Sequence, residues 1–414
     1  MTSQPLYPPV RASAGRHAFS QGVRVARRST GLRVSRPALF WFLTALAVQL
    51  AAAILIHLFS LAMGYGGYYP VPSGADDSTY FPLAQRIYDG LDIGFVANDY
   101  PYALALFFRL TGGPDLFVGK LLNVLAGSVS VALGVLIVEE LTREGYSRAE
   151  RKRAIRWAGL LLLLYPSLLW YSTQLVKDPL IVVSGMGALY FQICLLRRVR
   201  LAWVIGWLVS FAGLFPFRPY AAIAIALSLM IYILRFKPKW LVPAFVTVAV
   251  LPFLLGKGWF GLSSLQNVLV NTDTIASFRQ SGYSTGGSSA GITINYSNPI
   301  LFLLTYSYSF ITAMFGPFPW QIKAAAQAVA LPEAVAMWLL FPIWLRGVRG
   351  LFRKNKLSPR MRRELLLLLF SLVLIGIIAI FSDNIGANTR LRLLPWSAFL
   401  LYASLKMPRL KLFR

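Results

Sequence analysis

Apolar runs of fifteen to twenty-six residues recur from Ala38 almost to the C-terminus, and this feature restricts the fold more than any other. Inside a bilayer no water pairs with backbone N–H and C=O groups. Runs of that length and density therefore cross it as α-helices, whose backbone bonds close within the segment. The chain reads as an all-α polytopic membrane protein of about ten transmembrane helices. The spans are Ala38–Met63, Phe117–Leu141, Ala154–Trp170, Pro179–Leu196, Leu201–Phe215, Tyr220–Leu234, Trp240–Leu255, Leu331–Leu345, Leu365–Phe381 and Leu391–Leu405. The first run is no signal peptide, because 37 residues precede it and it is too long for a signal h-region.

Charge distribution sets the expected orientation. Of the 41 Lys and Arg, 31 fall in Met1–Pro37, Thr142–Arg156, Arg197–Arg200, Arg235–Lys239, Arg346–Arg363 and Lys406–Arg414, all on one side of a ten-span threading. By the positive-inside rule that side is cytoplasmic, in a cytoplasmic membrane, with both termini inside. The whole +26 net charge then belongs to the inner face. It reads as contact with anionic membrane lipids and not as a nucleic-acid footprint. Residues 1–37 form a basic tail expected to be disordered, 38–405 one membrane domain, and 406–414 a second basic tail. Two outer loops are large, residues 64–116 and 256–330. The second includes Asn298–Gly316, read as a re-entrant or interfacial helix, because counting it as a span would put the basic 346–363 segment outside. The run Ser281–Gly291 is either a linker or a substrate lid.

With one cysteine, Cys194, the chain has no intramolecular disulfide and no multi-cysteine metal site. His17 and His57 lie too far apart in kind and place for a histidine site: one in the tail, one in the first span. Acidic residues are scarce, and Ser73–Tyr102 holds five of the fifteen. Within it Tyr80, Leu83, Ala84, Ile87 and Tyr88 repeat at helical spacing and Gly90 is a stop. Pro82 fits a first turn, so the amphipathic helix is expected to start at Ser78 or Thr79. Asp76 and Asp77 then sit just ahead of a helix N-terminus, where a carboxylate accepts a proton from a hydroxyl or holds a divalent cation (Mg or Mn) against a phosphate. The competing reading makes them ordinary capping acids.

Other charged residues gather on the same expected face. Asp178, before Pro179, is either a functional acid or a helix cap. Lys177 beside it is a cation at an apolar edge that capping does not explain. Arg218 lies in an FRPY turn, and Arg390 and Arg392 flank the last span. Guanidinium groups there either hold a phosphate through paired donors or extend to bulk headgroups. Tyr80 joins these as a substrate contact. Glu333 reads as a helix start.

The ADDSTYFPLAQRIYDG segment after a first helix, the YPSLLWYSTQLVKDPL turn, FRPY, FGPFPWQ and NTRLRLLPW resemble the C-type (GT-C) membrane glycosyltransferases. Within them the chain is most similar to the bacterial branch related to protein mannosyltransferases and lipid A aminoarabinose transferases. The resemblance implies transfer of a sugar from a polyprenyl-phosphate donor to a cell-envelope glycan, lipid or protein acceptor at the outer face. Asp76 or Asp77 would be the base or assist a metal, and Asp178 a second functional acid. Lys177, Arg218, Arg390 and Arg392 would contact the phosphate. The motif usual in those proteins pairs the first-loop acid with Glu, whereas here it is Asp-Asp, which leaves open which one acts. An exopolysaccharide or O-antigen polymerase or ligase, and a lipid-linked sugar flippase or transporter, are the alternatives.

Overall fold

The structure is a computed structural model that describes residues 35–69, 76–94, 96, 98–236, 276–277, 279, 291–296, 298–322, 328, 330–352 and 357–408. The expected span Trp240–Leu255, the Ser281–Gly291 run except its last residue, nearly all of the basic N-terminal tail and most of the C-terminal one lie outside the described residues.

Fourteen α-helices and no strand make up the described residues. In order they are α1 (Arg36–Ala62), α2 (Asp76–Tyr88), α3 (Tyr100–Thr111), α4 (Leu116–Leu141), α5 (Arg148–Leu163), α6 (Pro166–Ser172) and α7 (Asp178–Arg197). Then come α8 (Leu201–Ala212), α9 (Pro219–Phe236), α10 (Pro299–Phe315), α11 (Leu331–Phe352), α12 (Pro359–Phe381), α13 (Ile385–Leu391) and α14 (Leu393–Ser404). Six are long and apolar enough to cross a membrane: α1, α4, α7, α9, α11 and α12. Helices α5 and α6 make a seventh if the pair, bent by 55° at Leu164–Tyr165, is one span. Proline explains the bend. Pro166 has no N–H to continue the ladder and pushes Tyr165 to extended geometry, while fitting the first turn of a new helix.

Ten spans were expected, and among the described residues the number is smaller for a reason of length. Helices α8 and α14 have 12 residues each, about 18 Å at ~1.5 Å per residue, against a hydrocarbon layer of about 30 Å. Helix α14 is buried at every position from Leu393 to Ser404, so its apolar composition serves the protein interior and not the lipid. The core forms around α4, α7, α12 and α14. Helix α4 packs on α1, α5, α6 and α7, and α12 packs on α9, α10 and α14. Glycine permits the approach of α5 to α1. A Cβ on Gly159 of α5 would lie 2.1 Å from the Trp41 ring of α1.

Helix α10, expected to be a re-entrant or interfacial helix, runs alongside α12. Ile292 N–H bonds to Asp383, just past the end of α12. The chain then returns along α12 through Tyr306 Oη to the Gly376 carbonyl (3.1 Å) and Ser309 Oγ to the Ala379 carbonyl (2.8 Å). It enters and leaves at the same end of the bundle.

Most of the basic segments converge at the opposite end. Arg197, closing α7, pairs with Glu140 and Glu144 at 2.6 Å each, and Arg363 reaches Glu144 at 3.2 Å. Arg360 and Lys406 both pair with buried Glu364, and Trp157 donates to the Pro408 carbonyl. Among the described residues, parts of four of the six segments that the charge count placed on one side do lie together.

Candidate active site

Helix α2 begins at Asp76, two residues before the expected start, so both acids lie in its first turn and Pro82 falls inside the helix. Carboxylates suit that turn, where four N–H groups lack intrahelical partners and the dipole favours negative charge. The expected stop at Gly90 is present. Gly90 takes φ +75° and the Leu91 and Gly90 N–H groups bond to the carbonyls of Arg86 and Ile87, a Schellman ending.

Successive helix residues point about 100° apart, and the two acids go to different places. Asp77 is 1% exposed. Its carboxylate accepts from the N–H of Tyr69 (2.5 Å) and of Ser78 (2.9 Å). Burial raises its pKa, and those two N–H groups and Lys120 partly offset the rise. Lys120, also buried, donates to the Gly67 carbonyl at 2.6 Å. Gly67 takes φ +87° and lies so close to His57 that a Cβ would be 2.4 Å from its ring. Asp77 therefore fastens the 64–69 turn to α2 and α4. Asp76 keeps 28% of its side chain exposed and forms an ion pair with Arg390.

Arg390 connects Asp76 to the rest of the site. Carried by α13, it gives Nε and Nη2 to Asp178 Oδ2 at 3.0 and 2.8 Å. Arg218, in the turn before α9, donates to Asp178 Oδ1 at 2.7 Å. Asp178 is fully buried with both oxygens engaged. It opens α7 without serving as its cap, since Lys177 occupies that place. The two carboxylates hold Arg390 firmly protonated, their attraction outweighing burial. Around this group Asn98 donates to Tyr80 Oη at 3.0 Å, the Arg390 guanidinium lies 5.8 Å from the Tyr171 ring centre, and Tyr171 Oη is 3.0 Å from Thr389 Oγ1.

Lys177 is the exception in this network. Among the described residues its ammonium has no hydrogen bond and no ion pair within 4 Å, although the Asp76, Asp178, Arg218 and Arg390 charges all bear on it. Burial, then Arg218, push its pKa down to about 8. The cluster thus sets three cations against two carboxylates, leaving one net positive charge at its half-exposed edge.

The structure brings together Asp76, Tyr80, Lys177, Asp178, Arg218 and Arg390 from four separate stretches of sequence. Asp77 and Arg392 are not among them. Arg392 was expected to hold a phosphate or to extend to headgroups, but it is 1% exposed. Its guanidinium bonds to the Gly316 carbonyl, pairs with Glu333 at 3.4 Å and lies 4.1 Å from the Trp396 ring centre. Glu333 in turn accepts from the N–H (3.0 Å) and hydroxyl of Ser167. Arg392 is the joint between α13 and α14, so two residues after Arg390 it points to the opposite side. The residues present do not fit a cation shared by Asp76 and Asp77, since Asp77 faces backbone N–H groups and Asp76 faces a guanidinium. Among the described residues no group of three or more His, Cys, Asp or Glu converges.

Sequence reasoning missed Asn98, Thr389 and the Glu333–Ser167 contact. It also missed buried Arg279, which bonds the carbonyls of Ile292, Ala379 and Ile380. Glu333 alone carried a signal, an acid at the start of an apolar helix, and that was read as capping.

The fold of this chain has a counterpart among solved structures. It is similar to ArnT from Cupriavidus metallidurans, a GT-C lipid A aminoarabinose transferase whose crystal structure holds undecaprenyl phosphate, with a TM-score of 0.50 and 14% identity. The match covers 88% of this chain and 59% of that one, so this chain spans about three-fifths of ArnT's length. No protein-family model and no curated protein sequence matches the chain. At that identity the likeness is one of fold.

Proposed function

We propose that this protein is an integral-membrane glycosyltransferase that moves a sugar from a polyprenyl-phosphate donor to a hydroxyl on a cell-envelope glycan, lipid or protein. The observation that carries the reading is the surplus positive charge beside a partly exposed carboxylate: the Lys177 ammonium, unpaired among the described residues, and Arg390 shared between Asp76 and Asp178. A phosphodiester headgroup is a monoanion, and this edge offers it one net charge together with guanidinium and ammonium donors. The ArnT structure was solved with undecaprenyl phosphate, which supports the same choice of ligand. The site lies at the starts of the apolar helices α7 and α9, which suits a donor whose carrier stays in the lipid.

In this reading Asp76 is the general base. It takes the proton of the acceptor hydroxyl as that oxygen attacks the anomeric carbon, and the polyprenyl phosphate departs. Lys177 and Arg390 hold the phosphate. Asp178, with no free oxygen, fixes the two arginines, and Arg218 acts through Asp178 as a positioning residue. Asp77 is structural. The basic segments lie at the other end of α7, so by the positive-inside rule the site opens at the outer leaflet. The charge on the phosphate is met by Lys177 and Arg390, with no step that depends on a divalent cation.

The test is transfer by membranes supplied with a polyprenyl-phosphate-linked sugar. Asp76→Asn is expected to lose at least 10²-fold in rate, the usual range for a general base being about 10²–10⁴. Asp77→Asn is expected to retain catalysis per folded molecule while lowering the folded yield. Wild-type rates in Asp76→Asn would overturn the assignment.

A further inference from the structure

Arg390 has two claims on it that change when a proton moves. Its guanidinium binds Asp178 through Nε and Nη2 and pairs with Asp76 through Nη2. Asp178 is buried and also held by Arg218, so its share of Arg390 is fixed. Asp76 is the half-exposed partner, on a different helix, and its attraction for Arg390 lasts only while it is ionised.

We propose that Arg390 couples the base to the leaving group: protonation of Asp76 releases Arg390 Nη2 to the departing phosphate. This rests on the transferase reading above and goes beyond it, because there the base and the phosphate contacts act independently. The step balances. The acceptor oxygen bonds to the anomeric carbon, the bond from that carbon to the phosphate oxygen breaks, and its electron pair stays on the phosphate. The hydroxyl proton goes to Asp76. A phosphodiester monoanion becomes a phosphomonoester dianion, while the cluster goes from one net positive charge (Lys177, Arg218 and Arg390 against Asp76 and Asp178) to two. Charge is matched before and after, with no ion entering or leaving. Were the proton lost to water and not kept on Asp76, the second negative charge of the product would form beside an unchanged +1 site, and the hand-over brings the freed Nη2 donor to that charge.

The test uses Asp76→Asn as a fixed copy of the protonated state, in full-length protein in nanodiscs. The probes are polyprenyl phosphate and its methyl ester, which carries one charge fewer on the same lipid. Asp76→Asn is expected to bind the monoester about tenfold more tightly than wild type, a change of ~1.4 kcal/mol, with a smaller gain for the methyl ester. Adding Arg390→Lys, which keeps the charge but loses the second donor, should remove most of that gain. Should Asp76→Asn fail to fold, Asp76→Ser removes the same charge and carries the same expectation. Unchanged monoester affinity, or a gain that survives Arg390→Lys, would overturn the coupling while leaving the transferase reading intact. Wild-type protein that binds neither lipid would overturn both.

Discussion

Lys177 shows what single residues contribute to this account. A half-buried ammonium next to two guanidinium groups is poorly placed unless an anion joins it, and its pKa near 8 expresses that cost. The sign follows directly. Below pH 8 the group is charged and attracts a phosphate, and above pH 8 it becomes neutral and that attraction fades. Affinity for polyprenyl phosphate is therefore expected to fall about tenfold between pH 7.5 and 9.5, a window in which the phosphomonoester is already a dianion. Lys177→Met should bind as weakly at pH 7.5 as the wild type does at pH 9.5, and its profile should be flat. Titrating the lipid into both proteins across that range checks this, and equal slopes would remove Lys177 from the site. Lys177 was legible in the sequence because capping explained Asp178 but left the lysine without a purpose.

At the scale of elements, α13 and its joint to α14 decide which arginine does which work. Arg390 and Arg392 looked alike in sequence, both flanking the last span as candidate phosphate contacts. A helix turns about 200° over two residues, so one reaches Asp178 and the other Glu333. Nothing in NTRLRLLPW says which way the helix faces, because that depends on partners more than 50 residues away. The same limit applied to Asp76 and Asp77: the pair was visible, and the divergence of its members was not. Arg392→Ala should leave Glu333 buried without its cation and destabilise the fold by roughly 3–5 kcal/mol. Arg392→Met with Glu333→Leu should recover much of that loss, since a packed apolar pair often replaces a buried ion pair at little cost. Thermal melts in detergent would show the difference. A phosphate contact would behave otherwise, losing lipid affinity with its melting temperature unchanged.

The molecule as a whole separates its charges between two ends. Asp76 and Asp178 gather with Lys177, Arg218 and Arg390 where α7 begins, and basic segments meet acidic partners where it ends, 20 residues later, about 30 Å by helical rise. This polarity was readable from charge counts alone, because the bilayer forces loops to one side or the other and leaves few alternatives. Span number was less readable. Hydropathy does not separate a helix exposed to lipid from one buried in protein, and α14 is apolar for the second reason. The central claim is that the acid-bearing end, and Lys177 with Arg390 in particular, receives a lipid phosphate. A structure of the protein with polyprenyl phosphate bound tests it most directly. The expected position of the phosphorus is within hydrogen-bonding reach of Lys177 Nζ and the Arg390 guanidinium, with the chain leading away into lipid. A phosphate at the basic end, or against Arg392 with Lys177 left empty-handed, would contradict the account.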